Sequence, residues 1–166
     1  YVYTASAQAA RMAFEPETDM LALRCIAPGM PNAILNPYPI EFIDEVEQIR
    51  LRVEQWDATR FIDMVSDQVP NGTVSSLLGY SLGNWEGDTL VVQTSLVDFP
   101  YLDDEGTPLD EEAEMVERFT VSEDGSRLHH EIVISDPRNL VEPVIVDGFW
   151  SWIPGAEIRP YGCEPE

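Results

Sequence analysis

The stretch 114–135 reads EMVERFTVSEDGSRLHHEIVIS, and it decides the fold. Apolar and polar side chains alternate along each half of it, which is the period of a half-buried β-strand. At its centre Asp124-Gly125 is a preferred sequence for a two-residue hairpin turn. The stretch therefore predicts an antiparallel hairpin with one apolar face. A two-residue loop would place Phe119 opposite His130 and Glu117 opposite Ile132, whereas a four-residue loop over 122–125 would place Glu117 directly opposite His130.

The same alternation recurs on both sides of this hairpin. Further strands are predicted at residues 49–53, 59–65, 77–85, 89–96, 144–152 and 156–161. Turn sequences such as Pro70-Asn71-Gly72 and Glu86-Gly87-Asp88 separate them. Short strands with regular turns, and no βαβ spacing, indicate an all-β fold. We expect a single antiparallel β-barrel, lipocalin-like or a similar small barrel.

The segment before the first predicted strand is of a different kind. Prolines at positions 28, 31, 37 and 39 exclude a regular helix or a central strand and indicate an extended arm wrapped on the barrel. Residues 1–23 are expected to be flexible or partly helical, and residues 24–166 to form the barrel domain.

The charge of the chain narrows the choice of partners. The 166 residues carry 31 acidic and 9 basic side chains, a formal net charge of −22, and every basic residue is arginine. Such a surface repels nucleic acid and anionic membranes. No apolar run is long enough for a membrane helix, so no membrane insertion is expected. A saline habitat and a soluble exported protein are two explanations of the acidity.

The two cysteines lie near opposite ends of the predicted domain. The chain begins at Tyr1 rather than Met, and a removed leader and a trimmed sequence are two explanations of this start. We expect an exported, periplasmic or extracellular protein. A disulfide between Cys25 and Cys163 is the prediction for that compartment, with two unpaired buried thiols as the alternative. No histidine or cysteine stands at metal-ligand spacing from either one, so no metal and no cofactor is expected.

Residues 78–92, LGYSLGNWEGDTLVV, resemble a family of exported bacterial proteins of unknown function. The resemblance extends from Arg24 to Glu164 and includes RC at 24–25, PYP at 37–39, ERF at 117–119, DP at 136–137 and YGCE at 161–164. It implies export and a shared fold, and it carries no catalytic residues. Within the block, Gly79-Tyr80-Ser81-Leu82-Gly83 matches the nucleophile motif of hydrolases, but that motif needs a helix after the serine. Here a hairpin follows, which favours a strand whose small face admits close approach.

Three ionisable side chains are predicted on interior faces. Glu117 and His130 share the apolar faces of adjacent strands, and Arg60 alternates in step with Ile62 and Met64. A buried carboxylate beside an imidazole suits proton transfer, with Arg60 stabilising negative charge. A purely structural ion pair is the alternative.

Aromatic side chains are expected near the barrel mouths. They are Tyr38, Trp56, Tyr80, Trp85, Trp150 and Trp152. Aromatic rings around a cavity suit an apolar or aromatic ligand, and they are equally compatible with an ordinary core. The leading hypothesis is therefore an exported barrel that binds an apolar or aromatic small molecule in its interior. The alternatives are a cofactor-independent lyase or isomerase that uses His130, Glu117 and Arg60, and an acidic cell-surface interaction protein.

Overall fold

Eight strands form one strongly curled sheet in the computed structural model, which describes residues 1–163. Their order in the sheet is their order in the chain. The strands are β1 (Ile40–Asp44), β2 (Gln48–Val53), β3 (Ala58–Asp63), β4 (Tyr80–Glu86), β5 (Thr89–Ser95), β6 (Glu114–Val121), β7 (Arg127–Ser135) and β8 (Val144–Ser151). The predicted mostly-β fold is confirmed.

The prediction of a closed antiparallel barrel was wrong in two respects. First, β3 and β4 pair in parallel through Ile62–Ser81 and Asp63–Leu82, because residues 64–79 return the chain to the starting end of β3 before β4 begins. Second, the sheet is an open half-barrel, since β1 and β8 each have a single partner strand among residues 1–163. A hydrogen bond from Trp150 Nε1 to the Tyr38 carbonyl oxygen, at 3.1 Å, bridges the seam between these two edges.

Within residues 1–163, helices are confined to the first 57 residues. They are α1 (Ala5–Ala13), α2 (Pro16–Asp19), the single turn α3 (Asn32–Leu35), and 3-10 turns at Leu21–Arg24 and Gln55–Asp57. Thr4 caps α1, and Arg11 fixes it to the connection between β5 and β6 by donating to Asp103 at 3.0 Å. The prediction that the arm is extended throughout was wrong, because α3 lies within it. Residues 32–36 contain no proline and have room for one helical turn. The domain boundary at residue 24 stays a prediction.

One strand was missed and one predicted strand was wrong. Residues 40–44 form β1, although the prolines at 37 and 39 indicated an arm up to that point. Residues 156–161 form no strand; they run as an irregular tail held by two side chains near the β2–β3 connection. The backbone N–H of Arg159 donates to Glu54, and that of Tyr161 donates to Asp57.

The core fills the concave side of the sheet. Side chains alternate between the two faces of each strand, and one face is apolar and buried. The ring centroids of Phe42 and Phe119 lie 5.2 Å apart, which places β1 across the interior from β6. Main contributors to this core are Leu51, Ile62, Val92, Met115, Ile132 and Ile134. No helix within residues 1–163 is long and apolar enough to cross a membrane.

The predicted disulfide is confirmed. Cys25 and Cys163 are bonded, with their Cα atoms 5.8 Å apart. The bond ties the segment before the arm to the end of the tail, 138 positions later. Glu164 of the resemblance, and the last residues of the predicted 24–166 domain, lie outside the described residues.

Candidate functional site

The hairpin of β6 and β7 has the predicted register. Phe119 pairs with His130 and Glu117 with Ile132, so both ionisable side chains lie on the concave face. The turn is wider than the predicted two-residue loop, since the N–H of Ser122 donates to the Arg127 carbonyl at 2.9 Å. Asp124 stabilises the wider turn by accepting hydrogen bonds from neighbouring N–H and hydroxyl groups. The longer loop leaves the register unchanged.

Five polar side chains meet beneath this hairpin in what we call the polar network. They are Arg60, Ser81, Thr94, Glu117 and His130. Arg60 Nη2 lies 2.5 Å from Glu117 Oε2, and His130 Nε2 lies 3.2 Å from Glu117 Oε1. Every member is at least nine-tenths buried. The structure thus brings together the three residues that the alternation of the strands placed on interior faces.

The network holds its carboxylate in the charged form. Burial of Glu117 raises its pKa, but the Arg60 guanidinium and the hydrogen bonds from His130 and Arg60 outweigh burial and hold the pKa well below the usual range. Glu117 is therefore ionised at neutral pH and forms a buried ion pair with Arg60. A carboxylate in this state accepts hydrogen bonds and is a poor proton donor.

Arg60 uses three of its five N–H donors in the network. Nε donates to Ser81 Oγ at 2.8 Å, and Nη2 donates to Thr94 Oγ1 at 2.6 Å and to Glu117. Nη1 is buried and has no hydrogen-bond partner among the described residues. Beside Arg60 is a cavity of about 10 Å³ whose other lining residues are apolar: Met30, Ala33, Ile34, Leu51, Val53, Ala58 and Leu78.

His130 is enclosed by aromatic rings. It stacks on Phe119, with ring centroids 4.6 Å apart, and its centroid lies 5.4 Å from that of Trp150. Its ring is 4% exposed. A second cavity, of about 30 Å³, lies away from the network beside Phe14 and Tyr101. Both cavities are far smaller than the several hundred Å³ of a typical small-molecule site.

The six predicted ligand-binding aromatics lie in three places. Tyr38 and Trp150 meet at the seam, and Trp56 joins them through the ring of Tyr161, which contacts both Trp56 and Tyr38. Tyr80 lies on the opposite face of β4 from Ser81, and its hydroxyl donates to Asp63 at 2.6 Å. Trp85 and Trp152 make up the third group, described next.

Three exposed apolar side chains share one end of the concave face. We call it the hairpin end, because the β1–β2, β4–β5 and β6–β7 turns lie there. Trp85 pairs with the inward-facing Leu90, and Val121 pairs with Leu128 of the core. Trp152 continues the alternation of Gly148 and Trp150, as its N–H donates to the Ser126 carbonyl. Their exposed fractions are 60%, 59% and 72%.

The hydrolase-like motif is a β-strand with a small face. Ser81 Oγ accepts from Arg60 and lies 3.1 Å from Thr94 Oγ1, so it is a member of the network and no helix follows it. A Cβ atom on Gly83 would lie 2.5 Å from Ile62 Cγ2, and one on Gly79 would lie 2.5 Å from the Ser95 carbonyl oxygen. The close approach predicted for this face is confirmed.

Sequence reasoning missed Ser81 and Thr94 as network members. Thr94 alternates in step with the buried Leu90 and Val92, and Ser81 lies between two glycines that need the same small face. In both β4 and β5, a polar residue at a position where the alternation expects an apolar one was the signal that could have identified these network members.

Comparison of the chain with protein-family models, with curated proteins and with solved structures gives no match. Within residues 1–163 no group of three or more His, Cys, Asp or Glu side chains could hold a metal ion.

Proposed function

We propose that the protein is an exported binding protein for an apolar or aromatic small molecule, which it holds on the concave side of its sheet at the hairpin end. The observation that carries the proposal is the exposure of Trp85, Val121 and Trp152 at positions of the core face. Large rings left in water at one end of a concave surface suit a ligand that replaces that water. In this proposal the half-barrel acts in the manner of a small lipocalin-like barrel.

The charge around this end restricts the ligand. Its three turns and the strand ends beside them carry seven acidic residues: Asp44, Glu45, Glu47, Glu86, Asp88, Glu123 and Asp124. The nearby Arg50 and Arg118 are each paired with a glutamate, Glu45 and Glu86 respectively. Arg127, at the start of β7, stacks on the ring of Phe149 on the convex face. An anionic ligand would approach against this field, so the proposed ligand is neutral or cationic.

Export to the periplasm or the cell exterior is part of the proposal. A disulfide is consistent with an oxidising compartment. The resemblance to exported bacterial proteins supports the same location. The strong acidity is compatible with a surface that salt screens outside the cell.

The test is a binding screen that uses tryptophan fluorescence and calorimetry with neutral, cationic and anionic aromatic compounds. Trp85→Ala and Trp152→Ala should each weaken binding about tenfold or more, because stacked rings dominate such contacts. Phe149→Ala is the matched control, since Phe149 is 52% exposed but lies on the convex face of β8. Equal binding by all three variants would exclude the hairpin end. A loss confined to Phe149→Ala would instead place the bound compound on the convex face and contradict the proposal.

A cofactor-independent lyase or isomerase is the second candidate. The hydrogen-bonded convergence of His130, Glu117 and Arg60 favours it. His130 would exchange the proton while Arg60 stabilised the negative charge that develops. The enclosure of His130 by Phe119 and Trp150 means that a substrate would first have to displace a ring. Product analysis of the same compounds tests it, because His130→Phe should abolish turnover in an enzyme and leave binding at the hairpin end intact.

A further inference from the structure

We propose that the arm plugs a second binding site at the end of the concave face opposite the hairpin end, and that this site takes an uncharged molecule whose single acceptor oxygen pairs with Arg60 Nη1. We call this the arm end; the β2–β3 connection lies there. The site is separate from the one proposed above and does not depend on it.

The plug consists of apolar side chains from the arm. Met30 is fully buried and Ile34 is 2% exposed, and with Ala33 they cover the cavity beside Arg60. Leu51, Val53 and Leu78 form its wall. These side chains fill the arm end as the carbon body of a ligand would.

The plug leaves one strong donor unused. Arg60 is 5% exposed, its other donor atoms are bound to Ser81, Thr94 and Glu117, and Nη1 has no partner within residues 1–163. A buried donor without an acceptor is costly, and arginine donors form the stronger class of hydrogen bond. A ligand that carries an oxygen acceptor therefore gains an interaction that Met30 and Ile34 cannot provide.

The charges nearby determine that the ligand is neutral. Glu117 already compensates the charge of Arg60 through the ion pair. A ligand carboxylate would add a second negative charge to a buried site in which Glu117 is already ionised. A ketone, ester or alcohol oxygen satisfies Nη1 without that charge.

The apolar lining indicates the rest of the ligand. A bound water needs two to four polar partners, whereas the residues around this cavity, apart from Arg60, offer apolar side chains. A carbon body with one oxygen fits the wall better. Because the cavity holds about 10 Å³, the body must replace the plug, and the arm must lift.

Within residues 1–163, three hydrogen bonds join residues 28–36 of the arm to parts of the protein outside the arm. The N–H of Met30 donates to the Leu77 carbonyl at 2.9 Å, and Asn36 Nδ2 donates to Gln55 Oε1 at 3.0 Å. Asn32 Nδ2 donates to Asp104 Oδ1 at 3.5 Å. The bonds to the carbonyl oxygens of Tyr38 and Pro39 lie beyond this part and stay in place when it lifts. The turn α3 has no side-chain cap. Exchange of the plug for a ligand therefore breaks few hydrogen bonds and replaces one apolar filling by another.

Two isosteric probes, cyclohexanone and methylenecyclohexane, test the acceptor oxygen. NMR of protein labelled with ¹³C and ¹⁵N arginine should show a shift of the Arg60 Nη1 protons with cyclohexanone only. Cyclohexanone should bind about tenfold or more tightly than the hydrocarbon. Equal affinities, or unshifted Arg60 signals at saturation, would overturn the proposal.

Variants of the arm test the plug. Asn36→Ala, which loosens the arm without touching the cavity, and Ile34→Val, which trims the plug by one methylene group, should both strengthen cyclohexanone binding several-fold. Ile145→Val is the control, because Ile145 is exposed on the convex face of β8. If neither arm variant binds more tightly than this control, the plug is not the competing occupant. Trp85→Ala should leave cyclohexanone binding unchanged, so failure at the hairpin end and failure at the arm end are distinguishable.

Discussion

Two ion pairs of similar geometry in this molecule differ greatly in burial. Glu117 and Arg60 are enclosed in the core, whereas Glu41 and Arg52 form a 2.8 Å pair on the exposed side of β1 and β2. Removing one partner of a buried pair leaves an uncompensated charge away from water. The same change in an exposed pair costs little, because water solvates the remaining charge.

We therefore expect Glu117→Gln to lower the free energy of unfolding by about 3–5 kcal/mol at pH 7, and Glu41→Gln by less than about 1 kcal/mol. The double variant Arg60→Met/Glu117→Leu should be more stable than Glu117→Gln, since it removes both charges. Urea unfolding of the variants measures this. A double variant no more stable than the single one would show that the hydrogen bonds to Ser81 and Thr94, and not the charge balance, dominate.

The ion pair of Glu117 with Arg60 also makes the free energy of unfolding depend on pH. The pKa of Glu117 is lower in the folded than in the unfolded state. Its contribution to stability is therefore complete above the unfolded pKa, near about 4.3, and is lost as the pH falls through the folded pKa. Wild-type protein should lose stability over this range more steeply than Glu117→Gln. If the stability of the two proteins fell equally steeply with pH, this assignment would be refuted.

How far single residues were predictable depended on their chemistry. Glu117, His130 and Arg60 could be placed because a charged side chain on an apolar face breaks the alternation visibly. Ser81 and Thr94 were missed, because short polar side chains are common on either face of a strand and their presence at an apolar position is a weak signal. The unsatisfied Nη1 of Arg60 depends on which atoms surround it, and no local sequence pattern contains that information.

At the scale of single elements, the space beside Gly83 limits the size of the side chain that β4 can carry at this position. A side chain at Gly83 would meet Ile62 and Met64, whereas one at Gly148 of β8 would meet nothing within 4 Å. Both glycines lie on the concave-face alternation, and neither needs a positive φ. The difference between them is therefore packing alone.

Gly83→Ala should cost about 1–3 kcal/mol of unfolding free energy through overpacking, and Gly148→Ala should be neutral or slightly stabilising. Thermal and urea unfolding of the two variants, measured side by side, test this. Equal costs would mean that Ile62 and Met64 move aside freely.

The elements that the sequence did not predict have separate causes. Two prolines directly precede the short β1, and they indicated an arm that ends where β1 begins. The parallel pairing of β3 with β4 depends on the path of residues 64–79 through space, which alternation within a strand does not record. Strands with their own turns, β4 to β7, were predicted to within a few residues because the turn and the alternation agree.

At the scale of the whole molecule, the net charge of −22 sets the response to salt. Like charges brought together by folding repel one another, and ions screen that repulsion over about 10 Å at 0.1 M ionic strength. We expect the melting temperature to rise between low salt and roughly seawater strength. Sodium chloride is the appropriate salt, because it acts mainly through screening. A flat or falling melting temperature would show that the acidic side chains are spaced widely enough not to interact.

The order of the strands in the sheet is their order in the chain. Each new strand therefore finds its partner in the segment synthesised just before it, and the average sequence distance between paired residues is short. Short distances of this kind favour rapid folding, since little chain entropy is lost before a pairing forms. A chain synthesised from its N-terminus can build the sheet strand by strand as it emerges. The contact of Trp150 with Tyr38 is different, because it joins residues 112 positions apart and can form only after β8 has arrived.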